Sequence, residues 1–281
     1  MTILVFGKTG QVATELGAFA QTHCVGRDIA DLSDPESCAA VILAERPSAV
    51  INAAAYTAVD KAEEEEALAT TINADAPGAM AQACATLNIP FVHISTDYVF
   101  DGNGTAPHAP DQPTAPISAY GRSKLKGEQA ITNAGGIHAI LRTSWVFSAH
   151  GTNFLKTMLR LGADRDALSI VNDQIGGPTP ASAIAAATVS IAGQLTPDNT
   201  GTYHFSGAPD TSWAGFAEAI FAQGGLDVQV TGIPTSQYPT PAKRPLNSRL
   251  DCSATFTTFA IERPDWRASV SQIVAQLKAG T

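Results

Sequence analysis

The sequence predicts an α/β protein built around a doubly wound parallel sheet. Short apolar runs rich in strand-forming residues alternate with longer helical stretches, which is typical of parallel strands joined by helices. Polar residues follow several of these runs, as expected for a ligand site at the carboxyl edge of the sheet. The predicted organisation is a main region over residues 1–150 and a smaller α/β region over residues 151–281. The border is soft, so parts of the second region can return to the main sheet.

The first strand and the turn after it form the clearest local motif. Ile3–Phe6 is apolar, and Gly7-Lys8-Thr9-Gly10-Gln11-Val12-Ala13 follows at once, before a helix predicted from Gln11 to about Gln21. Gly7 allows a tight turn, Gly10 lets the backbone approach a pyrophosphate, and the helix start supplies N–H groups. Strand, glycine turn and helix in this order indicate a Rossmann-type dinucleotide site. An ordinary strand–turn–helix connection is the alternative.

The end of the second strand bears on the choice of cofactor. The run there is Cys24-Val25-Gly26-Arg27-Asp28. An acidic residue at this point would bind the adenine ribose hydroxyls, whereas an arginine would pair with a 2′-phosphate. Because Arg27 comes before Asp28, the sequence favours NADPH, with NADH as the alternative cofactor. The competing interpretation of Arg27 is a solvated surface charge.

The next elements place three polar strand ends at one edge of the sheet. The predicted strands are Ala49–Asn52, Phe91–Ser95 and His138–Thr143, and the predicted helices are Ala76–Leu87 and Ser118–Ala134. Parallel strands end at the same edge, where ligands bind. The polar ends that would meet there are Asn52–Ala55, Ser95–Asp97 and Thr143–Trp145. Beyond residue 150 proline and glycine become frequent, which favours a smaller substrate-holding region.

Tyr120 and Lys124 are the predicted catalytic pair. On a helix, residues four apart project from the same face, so the phenol and the ammonium would share one site. The ammonium would favour the phenolate and lower the tyrosine pKa from about 10 toward neutrality. A tyrosine of that kind can give a proton to a carbonyl that is being reduced. Ser95-Thr96-Asp97 upstream adds polar groups to the same site.

Composition narrows the classes of partner. The formal net charge of −9 over 281 residues argues against nucleic acid or an anionic membrane as a partner. The sequence has no apolar run of the 18 or so residues that a membrane span requires. The four widely spaced cysteines favour reduced, buried thiols over zinc ligands or disulfides. These features predict a cytoplasmic enzyme.

The motifs together resemble the extended short-chain dehydrogenases/reductases, and among them the family of dTDP-4-dehydrorhamnose reductases. The resemblance covers nearly the whole chain. Its motifs are Gly7–Val12, NAAAYTAVDKAE (52–63), STDYVFD (95–101), Tyr120–Lys124, RTSWV (142–146), VNDQIGGPT (171–179) and PAKRPLNSRL (241–250). The departures are Ala13 in place of the usual third glycine, Tyr56 where a histidine is common, and Gly26-Arg27 in place of an acidic strand end.

The resemblance implies NADPH-dependent reduction of the C4 ketone of dTDP-4-dehydro-L-rhamnose, and it assigns roles to individual residues. Tyr120 would donate the proton, Lys124 would hold the nicotinamide ribose, and Thr96 would bind the carbonyl oxygen, unless it only caps its strand. The implied cofactor-binding residues are Gly7, Thr9, Gly10, Gln11, Val12, Arg27, Asp31, Leu32, Ala54, Ala55, Tyr56, Tyr120 and Lys124. The implied substrate-binding residues are Thr96, Asp97, Trp145, Arg244, Asn247 and Ser248. Core packing for Trp145 and a solvated loop position for Arg244 are the competing interpretations.

Two other classes of function stay open. A related sugar-nucleotide epimerase or 4,6-dehydratase would share the glycine turn and the Tyr/Lys pair, but a dehydratase needs further carboxylates near its threonine. A non-catalytic regulatory relative would keep the fold without the chemistry. The resemblance leaves a monomer or a homodimer open. It also leaves open a Mg²⁺ ion at a dimer interface, for which Glu15 matches one position.

Overall fold

The computed structural model describes residues 2–279 and has a six-stranded parallel sheet at its centre. In chain order the strands are β1 (Ile3–Phe6), β2 (Thr22–Val25), β3 (Ala49–Asn52), β4 (Phe91–Thr96), β5 (His138–Thr143), β6 (Val146–Phe147), β7 (Ala167–Val171), β8 (Ile175–Gly176), β9 (Thr179–Pro180), β10 (Gly201–His204), β11 (Thr211–Ser212), β12 (Gln229–Ile233) and β13 (Asn247–Ser248). The order across the main sheet is β10-β5-β4-β3-β1-β2. The chain therefore leaves β1 toward β2 on one side and returns to β3 on the other, which opens a crevice beyond the ends of β1 and β3.

Helices connect the strands and cover both faces of the sheet. They are α1 (Gln11–Leu16), α2 (Pro35–Glu45), α3 (Glu66–Thr70), α4 (Ala76–Leu87), α5 (Ala119–Ala134), α6 (Phe154–Asp164), α7 (Ala181–Gln194), α8 (Trp213–Gly224), α9 (Ser253–Phe259) and α10 (Trp266–Ala279). Side chains of a strand alternate between the two faces. Ile3 and Val5 accordingly pack toward α1 and α7, whereas Leu4 and Phe6 pack toward α2 and α4. This two-sided burial confirms the doubly wound fold.

Most predicted elements agree with the structure. β1, β3, β5 and α4 have the predicted bounds, β4 extends one residue further to Thr96, and Ser118 caps α5 by accepting a hydrogen bond from the Gly121 N–H. The exception is α1, which ends at Leu16 rather than near Gln21. Thr22 already begins β2, and its hydroxyl donates to the carbonyl oxygens of Leu16 and Phe19. The requirement to enter β2 ends the helix earlier than its amphipathic pattern suggests.

The chain beyond residue 150 both extends the main sheet and builds a second core. β10 pairs in parallel with β5 at the edge of the main sheet, and α7 covers one of its faces. A separate apolar cluster joins α6, α8 and α10 with the two-stranded sheet of β7 and β12. Within the described residues, none of the helices combines the length and hydropathy needed to cross a membrane. The four cysteines are free thiols, of which Cys24 is only half-buried.

Candidate active site

A cavity of about 970 Å³ lies at the carboxyl edge of the main sheet. Its walls come from the glycine turn, the ends of β2 to β5, the start of α5 and Trp213 at the start of α8. The predicted site residues that line it are Gly7, Thr9, Gly10, Gln11, Val12, Arg27, Leu32, Ala54, Ala55, Tyr56, Thr96, Asp97, Tyr120, Lys124 and Trp145. Asp31, Arg244, Asn247 and Ser248 do not belong to its lining. The ends of β3, β4 and β5 thus meet at the cavity, as the sequence predicted, although Asn52 itself lies outside the lining.

The glycine turn forms a cradle at one end of the cavity. Gly7 has a φ of 120°, a conformation that side chains rarely adopt. A Cβ at this position would lie 3.1 Å from the Cβ of Ala13 and 3.4 Å from the backbone of Ala53. Gly10 begins α1 without a side-chain cap, so the first N–H groups of the helix remain available to a ligand. The alanine at the third motif position fits because it packs directly against Gly7.

Two cations lie beside this cradle, near Gly26 at the end of β2. The Arg27 side chain is 80% exposed, with its Nε 3.7 Å from the Asp31 carboxylate. The Lys8 side chain passes over Gly26, 3.4 Å from where a Cβ would lie. Asp31 accepts a hydrogen bond from the Ser33 N–H, which contributes most to holding its pKa below the usual value. Asp31 thus stabilises its own loop and contacts Arg27, rather than lining the cavity.

Tyr120 is half-buried and lies beside Thr96 and Tyr98. Its ring meets that of Tyr98 edge-on, with centroids 5.5 Å apart. Burial raises the pKa of the Tyr120 phenol well above its ordinary value, and the negative charge of Asp97 acts in the same direction, whereas a hydrogen bond with Thr96 opposes both. The prediction that Lys124 lowers the pKa of this phenol is therefore wrong for this arrangement. Tyr120 holds its proton firmly at neutral pH.

Lys124 faces strand β4 and not the phenol. Its Nζ donates a hydrogen bond to the carbonyl oxygen of Ile94 at 2.8 Å and lies 2.9 Å from Nε2 of His93. The side chain is 1% exposed. Burial lowers the pKa of this amine to about 8, although Glu128 one turn further along the helix favours the charged form. Helical spacing correctly put both residues on one face, but it did not reveal this competing partner.

Thr96 and Asp97 form a hydrogen-bonded pair at the end of β4. The Thr96 hydroxyl donates to Oδ1 of Asp97 at 3.0 Å and accepts from the Tyr98 N–H at 3.2 Å, so it also caps the strand end. Oδ2 of Asp97 accepts from the Ser248 hydroxyl at 2.5 Å. Burial raises the pKa of Asp97 to about 6, against the opposing effect of these hydrogen bonds. Ser248, predicted to contact the nucleotide, instead orients Asp97.

Two further predicted substrate ligands lie in a structural network. The Asn247 amide donates to the carbonyl oxygen of Ala106 at 2.8 Å and is 1% exposed, so it stabilises the neighbouring loop instead of facing the cavity. Arg244 pairs with Asp60 at 2.8 Å. Its Nη1 is buried and makes no hydrogen bond within the described chain. Arg244 also interacts with the phenol of Tyr98, and neither Arg244 nor Asn247 lines the cavity.

Comparison with known proteins agrees with this geometry. Residues 1–279 match the family described as the RmlD substrate binding domain. A dTDP-4-dehydrorhamnose reductase from Burkholderia thailandensis is 45% identical over 99% of this chain and 99% of its own length. The protein of the same name from Sinorhizobium fredii is 43% identical over 98% of this chain and 97% of its own. The chain belongs to the dTDP-4-dehydrorhamnose reductase family.

A solved structure extends the comparison to the fold. The dTDP-4-dehydrorhamnose reductase from Bacillus anthracis, in complex with NADP, superimposes with a TM-score of 0.91 at 32% identity. The match covers 98% of this chain and 100% of the other. This agreement confirms the Rossmann-type fold class predicted from the sequence.

Trp213 is a cavity residue of this family member that the sequence prediction missed. Its ring stacks on Trp145 with centroids 3.7 Å apart, and its Nε1 donates to Gln174 at 3.0 Å. A Cβ at Gly176 would lie 3.0 Å from the Trp145 ring, so the absence of a side chain there gives the stacked pair its space. One local signal in the sequence was available. Ser212 is a typical helix N-cap, which indicates a helix that begins at Trp213, and in the structure its hydroxyl accepts a hydrogen bond from the Gly215 N–H.

The magnesium option for the family gains no support from this chain. Glu15 pairs with His150 at 3.3 Å. Across residues 2–279, no three His, Cys, Asp or Glu side chains lie close enough together to hold a metal ion. Binding of magnesium between two subunits therefore stays a sequence prediction without a structural counterpart.

Proposed function

We propose that this protein reduces the C4 ketone of dTDP-4-dehydro-L-rhamnose to the alcohol, with NADPH as the reductant and dTDP-L-rhamnose as the product. The observation that carries the proposal is the meeting of Tyr120, Lys124 and Thr96 in one cavity with the Gly7 cradle, in a member of the reductase family. This is the last reduction in the synthesis of dTDP-rhamnose.

The cradle fits a dinucleotide because it offers space and N–H groups where a pyrophosphate requires both. The groups that would hold NADPH are the Gly7–Val12 turn, Arg27 and Lys8 at the 2′-phosphate, and Lys124 at the nicotinamide ribose. The bound cofactor supplies hydride, so the redox chemistry belongs to it. We expect NADPH to be preferred over NADH because two cations, Lys8 and Arg27, line the cavity at the end of β2, where Asp28 is the one acidic lining residue.

The chain itself supplies the proton and orients the ketone. Tyr120 carries a phenol that burial keeps protonated at neutral pH, and it gives this proton to the carbonyl oxygen as negative charge develops there. Thr96 lies between Tyr120 and Asp97, where its hydroxyl fixes the position of the phenol and of the ketone oxygen. Trp145 and Trp213 provide a flat apolar wall for the sugar, and Arg244, next to Tyr98 of the cavity wall, would bind the nucleotide phosphates.

We expect Arg27→Ala to narrow the preference for NADPH over NADH. Loss of one charge-assisted hydrogen bond to the 2′-phosphate should weaken NADPH binding about tenfold and leave NADH binding nearly unchanged. Fluorescence titration of both cofactors measures the change. Arg160→Ala is the matched control, because it removes an exposed arginine from α6, outside the cavity lining. Equal affinities of the parent protein for the two cofactors would contradict the proposal.

The dTDP group should be required for efficient reduction. Binding energy from a remote nucleotide positions the reacting sugar, so the free 4-keto-6-deoxy sugar should react with a kcat/KM lower by about 100-fold or more. Steady-state assays with both substrates at saturating NADPH measure the ratio. Comparable values would show that the nucleotide is not recognised.

One assay separates reduction from the other classes of function. With dTDP-4-dehydro-L-rhamnose, a reductase oxidises one NADPH for each alcohol formed. A net epimerisation or dehydration leaves the NADPH concentration unchanged, and a regulatory relative forms no product. Only Asp28 and Asp97 among the described lining residues carry carboxylates, so the additional acid that a dehydratase needs beside its threonine is missing. A cytoplasmic location and a monomeric or homodimeric state stay predictions from the sequence.

A further inference from the structure

Three buried side chains form a hydrogen-bonded array behind the cavity. Nδ2 of Asn52 lies 3.1 Å from Nδ1 of His93, and Nε2 of His93 lies 2.9 Å from Nζ of Lys124. Their exposed fractions are 1%, 0% and 1%. Asn52 ends β3, His93 lies in β4 and Lys124 lies on α5, so the array crosses from the sheet to the helix. No role was assigned to Asn52 or His93 by the motifs of the active site.

The backbone fixes the direction of the first hydrogen bond. Oδ1 of Asn52 accepts the N–H of Ala54 at 3.1 Å, so the NH₂ group of Asn52 is the one that faces His93. That NH₂ group can only donate, and Nδ1 of His93 must therefore accept. Burial holds the pKa of His93 well below its usual range, so the ring is neutral and has one N–H. This N–H consequently lies on Nε2, directed at Lys124.

Lys124 meets this N–H in two different ways, depending on its charge. A neutral amine accepts the Nε2–H in its lone pair and donates to the carbonyl oxygen of Ile94, so every group in the array is satisfied. An ammonium has no lone pair, and its N–H would point at the N–H of His93. The ring would then have to move its proton to Nδ1, and Asn52 would have to turn its amide away from Ala54. Each of these changes costs a buried hydrogen bond.

We propose that Asn52 and His93 are positioning residues that fix the Lys124 amine against β4 and favour its neutral form. The proposal rests on the function proposed above only in giving Lys124 a role at the cofactor. The titratable groups that face Lys124 are His93 from β4 and Glu128 from its own helix, with Tyr120 one turn earlier on that helix. Glu128 favours the charged form of Lys124 and so opposes the array, while it also forms a two-point ion pair with Arg142 from β5.

The consequence for the enzyme is a lysine that titrates close to physiological pH. The array and the burial of Lys124 act in the same direction, and the pKa of the amine is lowered to about 8. Lys124 then changes charge within the pH range in which the enzyme works, and the strength of its interaction with the cofactor ribose changes as well. An alkaline limb in the kcat/KM profile is expected where Lys124 loses its proton.

The protonation pattern of the parent protein is the first test. Nitrogen-15 NMR of histidine-labelled protein, recorded above the pKa of Lys124, should show His93 with a protonated Nε2 and an unprotonated Nδ1. In lysine-labelled protein, the resonance lost in Lys124→Arg should titrate well below the other lysines. An Nδ1–H form of His93, or a Lys124 that titrates with the others, would overturn the proposal. Neither measurement requires turnover.

Two variants test whether the Asn52–His93 array lowers the pKa of Lys124. Asn52→Asp keeps an oxygen for the Ala54 N–H and presents a second oxygen to His93, which should move the ring proton to Nδ1 and leave Nε2 free to accept from an ammonium. His93→Gln adds no charge, and its amide can rotate to accept from the ammonium. Both should raise the pKa of Lys124 by about one unit or more and move the alkaline limb upward by a similar amount.

His138→Gln is the matched control. His138 is also a buried histidine of the main sheet, but its Nδ1 contacts the Gly136 carbonyl oxygen and it has no part in the array. This variant should leave the titration of Lys124 in place. If it moved that titration as far as His93→Gln did, or if Asn52→Asp and His93→Gln left it in place, the array would have no such role. If Lys124 of the parent protein titrates well below the other lysines but the protein does not reduce the sugar, the result counts against the proposed function alone.

Discussion

Tyr120→Phe is expected to lower kcat by about 10²–10⁴-fold, because it removes the phenolic hydroxyl group that gives the proton. The ring is half-buried and in edge contact with Tyr98, so phenylalanine should keep the packing of the site. Affinity for NADPH should stay within about twofold of the parent value, since the glycine cradle and the cations beside it are untouched. Single-turnover kinetics and a cofactor fluorescence titration measure the two effects separately.

Tyr98→Phe is the control for this experiment. Tyr98 is the neighbouring phenol in the same cavity, and burial raises its pKa as well. If Tyr120 is the proton donor, Tyr98→Phe should lose far less turnover than Tyr120→Phe. The reverse order of effects would assign the proton to Tyr98, and near-parental turnover of Tyr120→Phe would remove Tyr120 from the chemistry.

Glu128→Gln is expected to have the largest effect on stability, a loss of about 3 kcal/mol in the free energy of unfolding. Glu128 and Arg142 are 5% and 6% exposed, and two hydrogen bonds of 2.6 and 3.0 Å join them. The Ser95 hydroxyl also donates to Glu128. Removing the carboxylate charge leaves the Arg142 guanidinium buried without its counter-ion. Urea unfolding at neutral pH measures the loss as a lower transition midpoint.

An ion pair at the surface of the protein is the control for the buried pair of Glu128 and Arg142. Arg122 on the same helix makes a two-point contact with Glu66 at 2.7 and 2.9 Å, but these side chains are 42% and 37% exposed. Water screens such a pair, so Glu66→Gln should cost less than about 1 kcal/mol. Equal losses in the two variants would show that burial does not set the value of these ion pairs.

The sequence by itself determined the sheet and the cofactor cradle. The apolar runs of β1, of residues 49–51 in β3 and of residues 139–141 in β5 match buried strand segments, because a strand covered on both faces needs apolar residues on both of its sides. The role of Gly7 in the turn could be predicted for a similar reason, since a left-handed turn packed against Ala13 leaves no room for a side chain. These requirements act over a few consecutive residues, so a short stretch of sequence is enough to reveal them. The position of Lys124 relative to Tyr120 also followed from helical spacing.

Only the tertiary structure decided which partner each polar group would take. Lys124 bonds to His93 and to the Ile94 carbonyl oxygen rather than acting on Tyr120, and the phenol pKa rises where helical spacing predicted a fall. Ser248 donates a hydrogen bond to Asp97, although the two residues are 151 positions apart in the sequence.

The stacking of Trp145 on Trp213 has the same long-range origin. Such contacts join residues that no periodicity relates, and burial makes each of them strong by excluding the water that would otherwise compete. The sequence therefore specifies which groups reach the site, whereas packing specifies which of them pair and in what state of protonation.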